Sequence, residues 1–408
     1  MKKLNVHLCG KKVGVLSEDD LSQLSFKYDS TDAKPLSVHL PVRLESYPHS
    51  LAYPFFENLT PEGDAFEILT KSHVSGSKTF SILDRFGGDC AGAVAFYEST
   101  PNNSDKELYE ISASQITQII DKQPTDPLLT GMDNPPRLSL AGAQSKFAVC
   151  KYNGKYYRSN DENPTTHIIK INNKRFPNLL TNELFCMRLA KIMQLSVPEV
   201  ELKEINNRQY IEITRYDRAI TGGVVSRIHQ EDFCQALGIV SSRKYQTGGG
   251  ANLRDCYRII NEFSENRLED AMRFIEWIIF NYLIGNTDAH AKNLSLLHAD
   301  SGIKLAHFYD MLSTEVYPEK IIDHGMAMLI NGKGKYNSLK PADFKELFKI
   351  LGLNSVNMMK SVKDKFSKIV SDAENLREIL QNENISKSPV YDDIIGIIKK
   401  RLIILFEK

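Results

Sequence analysis

The stretch from Gly285 to Ser313 constrains this chain more than any other part of it. It follows the most apolar segment, residues 268–284, where Phe274, Ile275, Ile278, Ile279, Tyr282 and Leu283 recur at helical spacing. That pattern predicts a buried helix, with Trp277 as a packing residue, which ends at Gly285 and delivers the chain into a polar loop. In the loop, Asp288 and Asn293 stand five residues apart. Asp310 comes after two short strand patterns, residues 294–298 and 303–308, joined by the turn residues Asp300 and Gly302. For Asp288 and Asn293 alone, a solvated turn is the plain reading. Asp310 in this chain order lets three oxygen-bearing side chains converge on one place.

Such a set suits phosphoryl transfer, which needs a carboxylate beside the acceptor hydroxyl and two further oxygen ligands on the magnesium bridging the nucleotide phosphates. In kinases a D-x-x-x-x-N loop supplies the base and one ligand, and the metal-binding Asp arrives after a strand pair. Asp288-Ala-His-Ala-Lys-Asn293 has that spacing, with Asp288 the candidate base and Asn293 and Asp310 the candidate metal ligands. His290 and Lys292 in the same loop are candidate cofactor contacts, although His290 reads first as loop-stabilising.

The preceding part of the chain supplies what a nucleotide-covering lobe requires. Residues 137–146 are small and polar and run into a strand at 147–150, with Asn153-Gly154 as a hairpin turn. Backbone N–H groups of Ala141, Gly142, Ala143 and Gln144 could approach phosphate oxygens, yet no Walker A pattern is present and an ordinary hairpin loop is the alternative. Lys170, opposite Ile169 and Ile171 on a strand at 166–171, is either a phosphate clamp or a solvent-facing lysine. Glu183, near the start of a helix at 182–195, could pair with it or favour the helix N-terminus. A hairpin about Asn206-Asn207 ends in Thr214-Arg-Tyr-Asp-Arg218, where Thr214 to Tyr216 would form a hinge whose backbone meets adenine.

The first hundred residues predict short strands, among them a hairpin at 4–16, a strand at 36–40 and a buried strand at 92–97. Their charged positions read as a solvated face or a docking surface, and Arg85 to Asp89 as a loop. Residues 229–237 predict one short helix, and residues 241–251, with Gly248-Gly249-Gly250, a mobile loop. Residues 341–408 read as amphipathic helices.

Lys plus Arg and Asp plus Glu both number 51, so no global basic field argues for direct nucleic-acid binding. The six cysteines form no C-x-x-C pair and read as buried structural thiols in a reducing compartment. No signal peptide is expected, and residues 274–284 are too short an apolar window to span a bilayer, so no membrane partner and a cytoplasmic location are expected.

Across almost its whole length the chain resembles the HipA family of bacterial toxin Ser/Thr protein kinases. The resemblance rests on Leu36-Ser-Val-His-Leu-Pro-Val-Arg43, Phe55-Phe-Glu-Asn-Leu59, Ser139-Leu-Ala-Gly-Ala-Gln144 and Pro164-Thr-Thr-His-Ile-Ile-Lys170. It continues in Asn182-Glu183, His229 to Gly238, Asn286 to Asn293 and Phe308-Tyr-Asp-Met-Leu-Ser313. It implies an α+β, two-lobed protein-kinase-like fold, with a mixed β N-lobe and a helical C-lobe, behind a small amino-terminal β-rich subdomain. The corresponding boundaries are 1–100 for the subdomain, 101–136 for a connector, 137–221 for the N-lobe and 222–408 for the C-lobe.

The resemblance also implies ATP and Mg²⁺ as cofactors. It implies a helix-turn-helix, HipB-like antitoxin that neutralises the toxin and represses their operon, so operator DNA would be reached only through the antitoxin. Family targets include aminoacyl-tRNA synthetases, with growth inhibition and persistence as consequences. Residue by residue, Asp288 becomes the base, Asn293 and Asp310 the metal ligands, Lys170 a phosphate contact, Ala141 to Gln144 the phosphate loop and Ser139 the autophosphorylated serine. Ser145 departs from the acidic residue of the best-known member. A small-molecule or lipid phosphotransferase would need the same base and metal ligands. A non-catalytic co-repressor scaffold would need none of them, and the presence of all three argues against it.

Overall fold

The computed structural model describes residues 1–63, 65–68, 76–99, 108–122, 144–160 and 162–406. They form two compact units: Met1–Ile171 with Glu204–Ser242 and Leu296–Ser301, and Asn172–Lys203 with Arg243–Ser295 and Gly302–Lys408.

The first unit opens with an antiparallel sheet in the order β3-β2-β1-β4, made by β1 (Lys2–Leu8), β2 (Lys11–Glu18), β3 (Leu24–Tyr28) and β4 (Val94–Tyr97). Alternation sends Leu4, Val6 and Leu8 to one face, where they join Phe55 and Phe56 of α1 (His49–Glu57) and Phe80 and Leu83 of α2 (Lys78–Phe86) in one core. Cys9 and Gly10 turn between β1 and β2 at φ +49° and +77°, which leaves Cys9 exposed while the other five cysteines are buried.

Residues 36–40 are not the predicted strand. They make a turn, with Leu40 N–H donating to Ser37 O at 3.1 Å. The Tyr28 hydroxyl holds both ends, accepting from Leu36 N and donating to Leu40 O, and buried Glu231 accepts from Ser37 Oγ and Val38 N. These bonds replace the ladder that alternation alone would suggest.

A second sheet, of five strands, includes the antiparallel run β6-β5-β7-β8, from β5 (Lys146–Tyr152), β6 (Lys155–Tyr157), β7 (His167–Ile171) and β8 (Arg208–Thr214). Asn153 and Gly154 make its first turn at φ +48° and +77°, as their sequence predicts. One face carries Phe147, Val149, Ile169, Ile171 and Tyr210 against Ile116, Ile119 and Ile120 of α3 (Ala113–Lys122). The opposite face carries Ala148 and Ile168, followed along β7 by Lys170.

The predicted helix at 229–237 is instead a strand, His229–Asp232, and a helix, Phe233–Leu237. The break falls at Asp232, whose side chain accepts from Gln235 N while Gln235 Oε1 accepts from Asp232 N, a capping box that starts the helix there.

Asp89 is not part of a solvated face. It is buried and its carboxylate accepts from Thr165 N, Thr165 Oγ1 and Arg218 Nη2, while Arg218 and Arg215 both pair with buried Asp217. Burial works against the Asp89 and Asp217 charges, but Arg218, Arg227 and Arg215 override it and hold the Asp89 pKa far below the usual carboxylate range. Arg215 and Arg218 likewise hold Asp217 down at about 2.

The second unit contains α4 (Leu179–Ile192), α5 (Leu253–Phe263), α6 (Arg267–Ile284), α7 (Pro341–Ile350), α8 (Ser355–Phe366), α9 (Ile369–Asn382) and α10 (Val390–Phe406). Helix α6 is the predicted apolar helix, and its Phe274, Ile275, Trp277, Ile279, Tyr282 and Leu283 are buried. Tyr391 of α10 stacks on Phe185 of α4 at 4.9 Å between ring centres. In the segment expected to be a mobile loop, residues 243–250 form a hydrogen-bonded turn: Gly248 N and Gly250 N donate to Tyr245 O, and Gly249 N to Gln246 O. No helix among the described residues is long and apolar enough to cross a membrane.

Candidate active site

Asp288, Asn293 and Asp310 all lie in the second unit, and the way α6 ends determines where they point. Gly285 caps the helix at φ +76°, with its N–H directed to Asn281 O and Tyr282 O. A β-carbon there would come within 3.0 Å of Glu315 Oε2, so both backbone conformation and space call for glycine. Beyond it, Asn286 Nδ2 donates to Asn281 Oδ1 at 2.8 Å, and Asn286 Oδ1 accepts from Asp288 N at 3.1 Å. Thr287 N donates to Thr314 Oγ1 at 2.7 Å, and Ala327 N to Thr287 O at 2.8 Å. The loop is thus clamped by its own Asn and by two distant segments before it presents Asp288.

The side chain of Asp288 is 42% exposed. Its Oδ1 accepts from the Tyr245 hydroxyl at 2.7 Å, and Oδ2 lies 4.0 Å from His290 Nε2. His290 and Lys292 are buried within the loop. Tyr309 ties the loop to the segment before Asp310 by donating to Lys292 O at 2.6 Å.

Asn293 ends a single 3-10 turn, Ala291–Asn293; its Oδ1 accepts from His290 N at 3.0 Å and its Nδ2 donates to Asp310 Oδ2 at 3.3 Å. Asp310 sits at φ +59°, an uncommon conformation for a residue with a side chain. Its neighbours hold it there: Phe308 N donates to Ser196 O at 2.8 Å, and Asn182 brackets Ser313 by accepting from its N and donating to its O. Asn182 and Asp310 are therefore linked through the segment 310–313, which sequence spacing did not indicate.

Asn293 and Asp310 carry hard oxygens of the kind magnesium takes, but the atom by which Asn293 meets Asp310 is the amide Nδ2, which cannot ligate a cation. A magnesium ion would be held by the Asp310 carboxylate and by Asn293 Oδ1, which has a lone pair beyond the one used by His290 N–H. A protein-only cage is neither present among the described residues nor needed, since magnesium bound beside nucleotide takes few protein ligands and completes its shell with phosphate oxygens and water.

Lys170, Thr214 and Tyr216 lie in the first unit. Lys170 is buried on β7 with Lys146 as its register partner on β5, so the two side chains share a face. Gln144 Nε2, just before β5, is buried without a hydrogen-bond partner. Thr214 ends β8 and is exposed, whereas the Tyr216 hydroxyl donates to Gln230 Oε1. Arg215, between them, is turned inward to Asp217, Thr165 Oγ1 and Cys90 O. The alternating charges of Thr214-Arg-Tyr-Asp-Arg218 were the available signal for this buried network. Ser139, Ala141, Gly142 and Ala143 lie outside the described residues.

Residues 138–392 match the HipA-like C-terminal domain and residues 4–97 the HipA N-terminal domain. A Sinorhizobium fredii protein named "Putative kinase Y4mE" is 38% identical over 343 residues, covering 81% of each chain. The serine/threonine-protein kinase toxin HipA of Shewanella oneidensis is 31% identical over 358 residues, covering 82% of this chain and 80% of that one. A solved complex of Shewanella oneidensis HipA, HipB and operator DNA contains a chain that superposes with a TM-score of 0.83 at 26% identity, covering 98% of this chain and 96% of that one. The fold is that of the kinase-like HipA proteins, and the chain belongs to the HipA family of serine/threonine-protein kinase toxins.

Proposed function

We propose that this chain transfers the γ-phosphoryl group of ATP to a serine or threonine hydroxyl of a cytosolic protein, and that it acts as the toxin of a toxin-antitoxin pair. The observation that carries the reading is the meeting of Asn293 Nδ2 and Asp310 Oδ2 at 3.3 Å, with the exposed Asp288 preceding Asn293 in one clamped loop. In this role Asp288 accepts the proton of the acceptor hydroxyl, while Asn293 and Asp310 hold magnesium. The ion would supply charge neutralisation at the nucleotide phosphates.

In the first unit, Lys146 and Lys170 are register partners on one face of the sheet and would offer cationic contacts to a nucleotide phosphate. Gln144 Nε2, buried without a hydrogen-bond partner, would offer a further donor. Ala141 to Gln144 would form the phosphate loop and the backbone at Thr214 to Tyr216 the adenine hinge, with the boundaries at 100, 136 and 221 separating subdomain, connector, N-lobe and C-lobe. His290 and Lys292, being buried, serve the nucleotide mainly by shaping the loop.

The partner would be a HipB-like helix-turn-helix antitoxin, and operator DNA would be bound only with it, because 51 basic and 51 acidic residues give this chain no net positive field. An aminoacyl-tRNA synthetase is the target class favoured by the family. The test is growth: induction of the chain should arrest cells, co-expression of the neighbouring helix-turn-helix protein should relieve the arrest, and Asp288→Asn should cause none. Equal arrest by Asp288→Asn would remove the kinase account of toxicity.

A further inference from the structure

The Tyr245 hydroxyl lies 2.7 Å from Asp288 Oδ1, 43 residues away along the chain. Resting on the reading of Asp288 as base, we propose that Tyr245 is a positioning residue for the transfer step: its hydroxyl fixes the carboxylate so that Oδ2 faces the acceptor hydroxyl.

Two observations separate this role from that of a plug that substrate must push aside. The first is that the hydroxyl occupies only one of the two oxygens. Asp288 Oδ2 takes no hydrogen bond among the described residues, and His290 Nε2 stands 4.0 Å from it. One carboxylate can therefore hold Tyr245 and an acceptor together.

The second is that Tyr245 is held from its own side. The turn 245–250 closes by three backbone bonds, and Arg243 donates to Gly248 O and Gly249 O. Gly250 is packed so closely that a β-carbon would sit 2.1 Å from Arg243 O and 2.8 Å from Tyr245 O. Gln246 Oε1 accepts from Leu329 N at 2.7 Å, docking the turn on the strand Gly325–Ile330. The Tyr245 ring meets the His290 ring edge-on at 5.6 Å. A docked turn presents the hydroxyl at a set place, which is what orienting a half-exposed carboxylate requires. A rotatable carboxylate would otherwise spend much of its time turned away from the acceptor.

The experiment uses the full chain with Mg·ATP and casein as acceptor, and measures kcat and both KM values together with nucleotide affinity. Tyr245→Phe should lower kcat about 10-fold, the scale of losing one hydrogen bond to a charged group, with the KM for ATP and nucleotide affinity unchanged. In an Asp288→Asn background Tyr245→Phe should cause no further loss, since Tyr245 acts through Asp288. Gln246→Ala, which loosens the turn and keeps the hydroxyl, should lower kcat in the same direction. An unchanged or raised kcat in Tyr245→Phe, or an equal loss in the Asp288→Asn background, would overturn the positioning role. Full turnover by Asp288→Asn alone would instead remove the base assignment, a separate failure.

Discussion

Asn293 Nδ2 donates to Asp310 Oδ2 at 3.3 Å, joining side chains 17 residues apart and pairing a residue from the loop after α6 with one held in left-handed backbone. If the pair is the magnesium site, nucleotide affinity has a metal-dependent part that resides there. Asn293→Ala and Asp310→Ala should each weaken ATP binding 10-fold or more in magnesium, on the order expected for removing one ligand oxygen, and leave the weak metal-free binding as it was. Calorimetry with and without magnesium checks this. Unchanged affinity in both variants would end the metal assignment.

The buried arginines make a prediction about stability. Arg218 is the group that joins Asp89 to Asp217, and removing it leaves two buried carboxylates with fewer cations to share. Arg218→Met should destabilise the full chain by about 3–5 kcal/mol, the cost of breaking a buried ion pair from one side. Urea unfolding measures it, and a change under about 1 kcal/mol would show that solvent reaches the network.

A second stability effect depends on pH. His229 Nε2 donates to Leu36 O at 2.7 Å, and burial, then the neighbouring His298, push its pKa down to about 3. An unfolded histidine titrates near about 6.5, so between those values the unfolded chain binds the extra proton. The stabilisation is fully present above about 6.5 and is lost as pH falls below it, with a slope of at most about 1.4 kcal/mol per pH unit for one proton. The stability gap between the wild-type chain and His229→Gln should therefore narrow from about pH 7 to about pH 5. Asp89 and Asp217 lose their contribution only at lower pH, as they begin to protonate in the unfolded chain. A gap constant over this range would contradict a neutral buried His229.

Ser139 should be phosphorylated by another copy of the enzyme, and the modified protein should be inactive. A phosphate there adds about −1.5 to −2 charge on the proposed phosphate loop, where the nucleotide's own anionic tail must sit. Mass spectrometry after incubation with Mg·ATP tests the site, with Asp288→Asn as the control that stays unmodified. Phosphate on Ser145 with Ser139 clean would relocate the switch, and equal activity of both forms would remove the inhibition.

The candidate set Asp288, Asn293 and Asp310 could be picked out in the sequence because a helix end, a five-residue spacing and a strand pair are all short-range patterns. Tyr245 could not, because its meeting with Asp288 is tertiary and three glycines beside it read as mobility rather than as a close-packed turn. The same limit hid the turn at 36–40, whose alternation is that of a strand but whose bonds go to Glu231, more than 190 residues away. Asp89 was misjudged because a charged residue beside Gly87 and Gly88 suggests solvent, and only the arrival of Arg215 and Arg218 makes its burial tolerable.

The central claim is that Asp288 is the base of a magnesium-dependent phosphoryl transfer. Its most direct test is label transfer from γ-labelled ATP to protein by the purified chain and by Asp288→Asn, with nucleotide affinity measured on the same preparations. The account predicts that Asp288→Asn binds Mg·ATP as the wild type does and transfers label at a rate lower by a factor of about 10² to 10⁴. Transfer at the wild-type rate by a variant that still binds nucleotide would contradict it.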